Sequence, residues 1–326
     1  MVMKNVKLFL CSAVAVLVAT VAVAQSREVV VERDWGNISA TIDEPTEGAE
    51  CAVLIVAGSG PTDRYGNSGA GLNTFCYKML GEALAEGGIA AMRYDKRGVG
   101  LSVLPAEDVP NLVLEDYIDD ARACVEYLRK EGFERVFVAG HSEGGLIALS
   151  LAAEEECCFD GVVLLCAPGF NMADILNYQL SKQLVPAYMG LMVQSTQIIG
   201  RLKAGERVAE EDIPTELMGL FHPVVQPFII SSMKYEPAEL ALKCRVPMLV
   251  VSGGRDIQVS VSNGNRIHEA NPSAEHLVFE NMTHVLKDAD TSERMTQIMS
   301  IYTNANLPIT EGLAPAIIEF VNSLHK

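Results

Sequence analysis

The feature that most constrains the fold of this chain is a sharp turn at residues 140–144, which read Gly-His-Ser-Glu-Gly. A short apolar strand is predicted just before the turn, at residues 136–139, and a helix-forming stretch follows it. In a G-x-S-x-G turn between a strand and a helix, the small residues let both elements approach closely, and the serine hydroxyl projects clear of the sheet. This context indicates that Ser142 is an exposed nucleophile.

The rest of the chain alternates predicted strands with predicted helices. Continuous apolar runs such as residues 51–57 are typical of strands buried on both faces. The alternation predicts an α/β fold with a mostly parallel sheet and helices on both of its faces. The predicted strands lie at residues 28–32, 37–42, 51–57, 89–94, 136–139, 161–166, 247–252 and 276–279, and the longest predicted helices at 74–85, 112–130 and 313–325.

Residues 1–24 have the pattern of a secretory signal peptide. Two lysines precede an apolar stretch at residues 8–23, and Ala22-Val23-Ala24 has the form of a cleavage site. We therefore expect cleavage before Gln25 and a periplasmic or secreted location. The alternative is an uncleaved anchor helix, although the stretch is short for a membrane span.

Residues 168–240 interrupt the alternation, since they contain no convincing strand and are rich in Met, Leu, Gln and Tyr. We predict that they form a helical cap inserted into an α/β core made of residues 25–167 and 241–326. The apolar residues of the cap fit two uses, an acyl pocket or the cap's own core. These residues are Leu180, Leu184, Met189, Leu191, Met192, Ile198 and Ile199.

Charge and motif content exclude several classes of partner. The 326 residues carry a formal charge of −17, and removal of residues 1–24 leaves 23 basic and 42 acidic side chains. Such a surface repels phosphate backbones, so we expect no nucleic-acid partner and no stable membrane insertion after signal cleavage.

Neither C-x-x-C nor H-E-x-x-H occurs, and the glycine-rich loop at residues 58–64 lacks both phosphate-binding patterns. We therefore expect no metal and no cofactor.

A serine hydroxyl needs a base within hydrogen-bond reach, and the base needs an orienting carboxylate. In this type of sheet the order along the chain is serine, acid, histidine. Asp256 and His284 each follow a later predicted strand, and parallel strand ends meet at one edge of the sheet. We predict Ser142 as nucleophile, His284 as general base and then acid, and Asp256 as the residue that orients the imidazole. Asp174 is the rival acid.

A tetrahedral intermediate also needs backbone N–H groups that stabilise its oxyanion. The residue after the nucleophile, Glu143, is expected to supply one of them. The other is expected from the glycine-rich loop, at Ser59 or Gly60. Pro61 is excluded because proline has no N–H.

Taken together, five segments resemble the α/β-hydrolase superfamily, above all its bacterial carboxylesterases and the serine aminopeptidase-like group. The segments are residues 58–64, 94–102, 140–145, 253–256 and 283–284. The resemblance implies an eight-stranded, mostly parallel sheet with a cap inserted after the sixth strand. It also implies a small-molecule acyl substrate.

Two charged segments near the predicted site remain open to interpretation. Asp95-Lys96-Arg97-Gly98 is interpreted as structural, with ion pairs that brace the loops beneath the site. Asp63 and Arg64 are expected nearer the pocket, where they either contact a polar part of the substrate or pair with each other.

Three functions are compatible with the sequence. The preferred one is hydrolysis of small or medium acyl esters through an acyl-serine, and the alternative is a serine aminopeptidase or amidase with the same residues. A non-catalytic binder on this scaffold is the third. A peptidase must hold an ammonium group with carboxylates, although a solvated helix face is the favoured interpretation of the acidic cap residues. These are Glu206, Glu210, Glu211, Asp212 and Glu216.

Overall fold

The computed structural model describes residues 24–69, 71–184 and 188–324. Within these residues the strands are β1 (Ala24–Arg33), β2 (Gly36–Pro45), β3 (Cys51–Val56), β4 (Asn67–Ser68), β5 (Leu72–Asn73), β6 (Ala90–Tyr94), β7 (Arg135–His141), β8 (Gly161–Leu165), β9 (Met248–Gly253) and β10 (Glu275–Phe279). The helices are α1 (Cys76–Glu86), α2 (Leu114–Lys130), α3 (Glu143–Ala152), α4 (Met172–Gln183), α5 (Met189–Lys203), α6 (Met218–Phe221), α7 (Gln226–Ser232), α8 (Pro237–Lys243), α9 (Val261–Ala270), α10 (Arg294–Gln297) and α11 (Leu313–Ser323).

Eight strands form one sheet in the order β1-β2-β6-β3-β7-β8-β9-β10. The β1–β2 hairpin and the β2–β6 pair are antiparallel, and the other neighbouring strands are parallel. This topology confirms the predicted α/β fold with an eight-stranded, mostly parallel sheet. The carboxyl ends of β3, β7, β9 and β10 therefore lie at the same edge, where the loops that follow them can meet.

Helices cover the sheet on both faces, which explains the uninterrupted apolar sequences of its central strands. On one face α2 and α3 pack over alternate strand residues such as Leu54 and Val138. On the other face α1 and α11 pack over residues such as Ile55 and Ala139. All residues of β3, β6, β8 and β9 are consequently buried. Edge strand β10 is different, because Val278 remains 49% exposed.

Between β8 and β9 the chain forms α4 to α8, and no strand is present among the described residues of this segment. Helices α4 to α7 bury a separate apolar cluster that includes Leu202 and Phe221. The predicted cap boundary at residue 240 falls inside α8, which packs against α3 and α9 of the core. The division into core and cap remains a prediction.

The predicted signal peptide, residues 1–24, lies outside the described residues except for Ala24, the first residue of β1. Its cleavage and the exported location stay predictions. Within the part of the chain that the structure describes, no helix combines the length and apolarity needed to cross a bilayer.

Candidate active site

The turn from β7 to α3 places Ser142 in a strained backbone conformation. Its φ is 53° and its ψ is −121°, a region that non-glycine residues rarely adopt. The two glycines of the motif permit close contact. A Cβ at Gly140 would overlap the backbone of Gly144, and a Cβ at Gly144 would lie 2.7 Å from the Ala57 carbonyl oxygen. The turn therefore holds the serine at the carboxyl edge of the sheet, between β3 and the start of α3.

Gly144→Ala is expected to destabilise the fold by about 3 kcal/mol or more, because the new methyl group would collide with backbone carbonyls that cannot rotate away. Gly200→Ala is the matched control, since Gly200 also lies in a helix and has open space at its Cβ position. The control is expected to gain up to about 1 kcal/mol from helix propensity. Urea unfolding of both variants tests this, and equal stabilities would contradict the expected collision.

Ser142, His284 and Asp256 form a hydrogen-bonded chain. The Nε2 atom of His284 lies 3.0 Å from Ser142 Oγ, and its Nδ1 lies 2.8 Å from Asp256 Oδ2. A carboxylate only accepts hydrogen bonds, so the ring proton is on Nδ1 and the Nε2 lone pair faces the serine hydroxyl. The structure thus brings the three predicted residues together in the geometry that activates a serine.

The loops after β9 and β10 explain why two residues so distant in sequence from Ser142 meet it. The side chain of Asp256 is fully buried, and its Oδ1 accepts backbone N–H bonds from Gln258 at 2.7 Å and Val259 at 2.8 Å. These bonds fix the carboxylate and leave Oδ2 for the imidazole. The rival acid Asp174 lies in the first turn of α4 with an exposed side chain.

The predicted oxyanion residues lie beside the nucleophile. Ser59, Gly60 and Glu143 line the same cavity as Ser142. Glu143 is the first residue of α3, so its N–H belongs to the unpaired amides of a helix N-terminus. Gly60 has a φ of 72°, a conformation that favours glycine. Their roles as N–H donors to an oxyanion remain a prediction.

A second buried network, which sequence reasoning missed, connects this loop to His284. The backbone N–H of Gly58 donates to the Tyr77 hydroxyl at 3.0 Å, and that oxygen lies 2.7 Å from His141 Nδ1. On its other side, His141 Nε2 lies 2.7 Å from the carbonyl oxygen of His284. A carbonyl only accepts, so Nε2 carries the proton and Tyr77 donates to Nδ1.

His141 is therefore a neutral side chain that supports His284. Its ring centroid lies 4.8 Å from that of His284. Burial, and then the nearby His284, lower the pKa of His141 to about 3. Burial also raises the pKa of Tyr77, so its hydroxyl keeps the proton that it donates. No local spacing signal marks this pair, because Tyr77 is simply one aromatic residue on a helix.

Because His141 is buried and neutral, we expect the folded protein to become less stable as the pH falls. Between about pH 6.5 and pH 3 the unfolded chain protonates residue 141 while the folded chain does not, so the free energy of unfolding falls as the pH falls. The expected slope is about 1.4 kcal/mol per pH unit, one proton's worth. Urea unfolding of the wild type and of His141→Gln through this window tests it. In the variant, the slope of the free energy of unfolding against pH should be smaller by the amount that corresponds to one proton. Identical slopes would contradict the prediction.

The expectation for Asp63 and Arg64 is wrong, because neither contacts the pocket and they do not pair with each other. Arg64 is buried and bridges Asp95 at 2.9 Å and Glu28 at 2.5 Å. Asp63 instead accepts the backbone N–H groups of Tyr65 and Asn67 within its own loop. Both side chains stabilise the loop that carries the predicted oxyanion residues.

The charged Asp95–Gly98 turn is structural at two of its three charged positions. Asp95 holds Arg64, and Arg97 pairs with Asp120 at 2.6 Å and with Asp116 at 3.0 Å. Lys96 and Arg97 both line the cavity next to Ser142, but Lys96 differs in its partners, which are the Gly58 carbonyl oxygen at 2.5 Å and the Glu143 carboxylate at 3.5 Å. The purely structural interpretation therefore does not cover Lys96.

The cavity in front of Ser142 has a volume of about 480 Å³ and is mostly apolar. Its inner wall includes Tyr117 and Leu146 of the core. The segment between β8 and β9 supplies the apolar side chains opposite, which are Phe170, Met172, Ile175, Leu176, Leu220, Val224, Val225, Phe228 and Ile229. None of the seven apolar cap residues singled out from the sequence is in this described lining. Leu180, Ile198 and Ile199 are buried in the cap's own cluster.

One group of possible metal ligands is found in the part of the chain that the structure describes. The ligand atoms of Cys166, Asp256 and His284 lie within 4.8 Å of one another. Asp256 and His284 are already hydrogen-bonded to each other, and burial raises the pKa of Cys166. A cation would have to displace the proton on His284 Nδ1 that supports the serine. These residues therefore fit a hydrogen-bonded triad better than a metal site.

Comparisons with known proteins find hydrolases among the similar sequences. The family model for "Serine aminopeptidase, S33" matches residues 67–219. Esterase EstD of Thermotoga maritima is 27% identical over 240 residues, which cover 72% of this chain and 54% of that protein. A carboxylesterase of Bacillus subtilis is 32% identical over 135 residues, covering 41% of this chain and 48% of the relative. The chain thus spans about half the length of the curated relatives it matches.

Solved structures show the same fold at low sequence identity. Est1E from Butyrivibrio proteoclasticus with bound ferulic acid has a TM-score of 0.59 at 19% identity, over 90% of this chain and 98% of that one. A proline iminopeptidase from Mycobacterium smegmatis has a TM-score of 0.59 at 16% identity, over 91% and 98%. The order of the strands, the position of Ser142 in the turn between a strand and a helix, and the similar proteins all lead to one conclusion. This chain has the α/β-hydrolase fold and is similar to esterases and serine aminopeptidases that share it.

Proposed function

We propose that this protein is a serine carboxylesterase that cleaves small or medium acyl esters through an acyl-serine intermediate. The observation that carries the proposal is the hydrogen-bonded chain from Ser142 Oγ through His284 to Asp256. The carboxylesterase and esterase names of the two curated relatives support the same chemistry.

The first half of the reaction follows from the proton positions. As Ser142 Oγ attacks the ester carbonyl carbon, its proton moves to His284 Nε2, and Asp256 stabilises the resulting imidazolium. The carbonyl oxygen becomes an oxyanion that the N–H groups of Glu143 and of Ser59 or Gly60 stabilise. When the C–O bond to the alcohol breaks, Nε2 returns the proton to the leaving oxygen, and the acyl group stays on Ser142.

Deacylation repeats these steps with water as the nucleophile. His284 Nε2 takes a proton from water as the hydroxide oxygen bonds to the acyl carbon. Collapse of the second tetrahedral intermediate breaks the bond to Ser142 Oγ, which recovers the proton from Nε2. The products are a carboxylic acid and the regenerated serine.

The cavity favours an acyl ester over a peptide with a free N-terminus. Among the described lining residues the one carboxylate is Glu143, and its Oε1 lies 3.5 Å from the Lys96 ammonium. The acidic cap residues suggested for ammonium binding, Glu206, Glu210, Glu211, Asp212 and Glu216, are exposed and outside this lining. An aminopeptidase substrate would therefore leave its ammonium group without a free counter-charge.

A panel of aryl esters of increasing acyl length, assayed beside aminoacyl anilides, tests the proposal. We expect kcat/KM to be higher on the esters, with a maximum at short to medium acyl chains because the apolar cavity is of limited volume. Turnover of anilides alone would assign the alternative, an aminopeptidase or amidase. A folded protein that neither turns over esters nor reacts with a fluorophosphonate probe would be a binder instead.

A further inference from the structure

The inference concerns the peptide unit between Gly58 and Ser59, directly above the nucleophile. A Cβ built on Gly58 would lie 3.3 Å from Ser142 Cβ and 3.2 Å from His141 Nδ1, so this backbone rests against the catalytic serine. No peptide bond of the described chain is cis. In a planar trans unit the Gly58 C=O and the Ser59 N–H point in opposite directions. Whatever holds the Gly58 carbonyl therefore also sets the direction of the Ser59 N–H.

Two buried side chains hold Gly58 from both ends. Tyr77 accepts its N–H at 3.0 Å, and the Lys96 ammonium donates to its carbonyl oxygen at 2.5 Å. Lys96 is only 3% exposed. A charge-assisted hydrogen bond of this kind is shorter and stronger than a neutral one, so it fixes its acceptor well.

The other contacts of Lys96 lead to the second predicted oxyanion donor. Its ammonium lies 3.5 Å from the carboxylate of Glu143 and 5.5 Å from the centre of the Tyr117 ring. The backbone N–H of Glu143 is the donor expected from the residue after the nucleophile. One ammonium group therefore touches both loops that would surround an oxyanion.

Burial lowers the pKa of Lys96, although the carboxylate of Glu143 opposes this. Placing a cation there is costly, and an apolar side chain of similar length would fill the space without that cost. The hydrogen bond to the Gly58 carbonyl and the ion pair with Glu143 offset this cost, and an apolar side chain can make neither. Lys96 differs in this from Arg97 of the same turn, whose guanidinium pairs with Asp116 and Asp120 of α2.

We propose that Lys96 is a positioning residue of the oxyanion hole, which holds the Gly58 carbonyl so that the Ser59 N–H is directed at the oxyanion. Its contact with Glu143 fixes the two N–H donors, those of Ser59 and Glu143, relative to each other. This inference rests on the proposed function and adds the residue that prepares the site for the tetrahedral intermediate. Lys96 acts through the peptide backbone and forms no bond with the reacting atoms.

Lys96→Met tests the proposal. We expect kcat to fall about 10²-fold with KM nearly unchanged, because a displaced oxyanion donor weakens binding of the tetrahedral intermediate and not of the ester. A trifluoromethyl ketone, which forms a tetrahedral adduct with Ser142, should lose affinity by a similar factor. The matching methyl ketone should bind as before. An unchanged kcat, a change in KM alone, or equal losses for both ketones would overturn the proposal.

Two further variants distinguish a specific effect on kcat from a general loss of stability. Arg93→Met removes another buried cation, which pairs with Asp43 at 2.7 Å away from the cavity. It should lower the melting temperature while the folded protein keeps its kcat. If Lys96→Met does not fold, Lys96→Gln replaces it, because the shorter, neutral amide removes the charge-assisted hydrogen bond to the Gly58 carbonyl. A folded Lys96→Gln enzyme with full kcat would equally overturn the proposal.

A crystal structure of the variant gives a readout that does not depend on turnover. We expect the Gly58–Ser59 peptide to rotate once the ammonium is removed, and an unchanged peptide would overturn the positioning role. If the wild type hydrolyses no ester and binds neither ketone, the proposed function fails. The peptide orientation in Lys96→Met still decides whether Lys96 positions the loop.

Discussion

Ser142→Ala is expected to lower ester turnover roughly 10⁶-fold, to the level left by binding alone. The substitution removes the atom that attacks the carbonyl carbon and that His284 Nε2 faces at 3.0 Å. It removes a single oxygen and leaves the elbow backbone in place. Far-UV circular dichroism and the melting temperature should therefore stay close to those of the wild type.

Labelling with a fluorophosphonate probe measures the same loss independently of the substrate. The wild type should label and Ser142→Ala should not. Ser150→Ala is the matched control, because Ser150 lies in α3 and its hydroxyl donates to the Leu146 carbonyl, away from the triad. Persistent labelling of Ser142→Ala would assign the nucleophile to another residue.

Asp256→Asn is expected to lower kcat roughly 10⁴-fold while the fold is kept. The reason lies in the two backbone N–H groups, of Gln258 and Val259, that bond to Oδ1. They require an acceptor, so the amide oxygen of asparagine takes that position and its NH₂ group turns toward His284. The NH₂ group then donates to Nδ1 and drives the ring proton to Nε2, which can no longer accept the serine proton.

Steady-state kinetics at saturating ester measures this effect, and thermal unfolding verifies that the variant is folded. Asp174→Asn serves as the control because Asp174 is exposed on α4. It should keep full activity. If instead Asp256→Asn keeps its turnover and Asp174→Asn loses it, the acid role belongs to Asp174.

The limited volume of the cavity has a consequence for specificity. The wall opposite Ser142 consists largely of side chains from the segment between β8 and β9, including Phe228, which packs edge-to-face on Tyr117 at 5.4 Å. The predicted catalytic residues come from the loops at the carboxyl edge of the sheet. Substitutions in that segment are therefore expected to change the preferred acyl length, whereas substitutions at the sheet edge change the rate on every ester.

The strands and the three triad positions could be predicted because their signals are local or topological. Central strands are buried on both faces, so they appear as apolar runs such as residues 51–57. The elbow needs small residues at fixed spacing around Ser142, and this requirement appears directly in the sequence. Asp256 and His284 follow from strand order, because loops after parallel strands meet at one edge of the sheet.

The cap was predicted as helical, but its use of apolar residues could not be predicted. Helical spacing identifies apolar faces without indicating what each face contacts. In the structure, Leu180 and Ile199 lie in the apolar cluster of helices α4 to α7, while Phe170 and Phe228 line the cavity. Arg64 was likewise misjudged, because its partners Glu28 and Asp95 come from different parts of the chain.

The sequence by itself determined the architecture and singled out the three residues, Ser142, Asp256 and His284, that the structure joins by hydrogen bonds, because periodicity, the elbow spacing and chain order encode them. Only the tertiary structure decided what supports those residues. Tyr77, Lys96 and His141 lie on three different elements, and they converge on Gly58 and on the backbone of His284. Hydrogen bonds between side chains and distant backbone groups leave no periodic pattern in a sequence, so this support becomes visible only when the sheet brings its loops together.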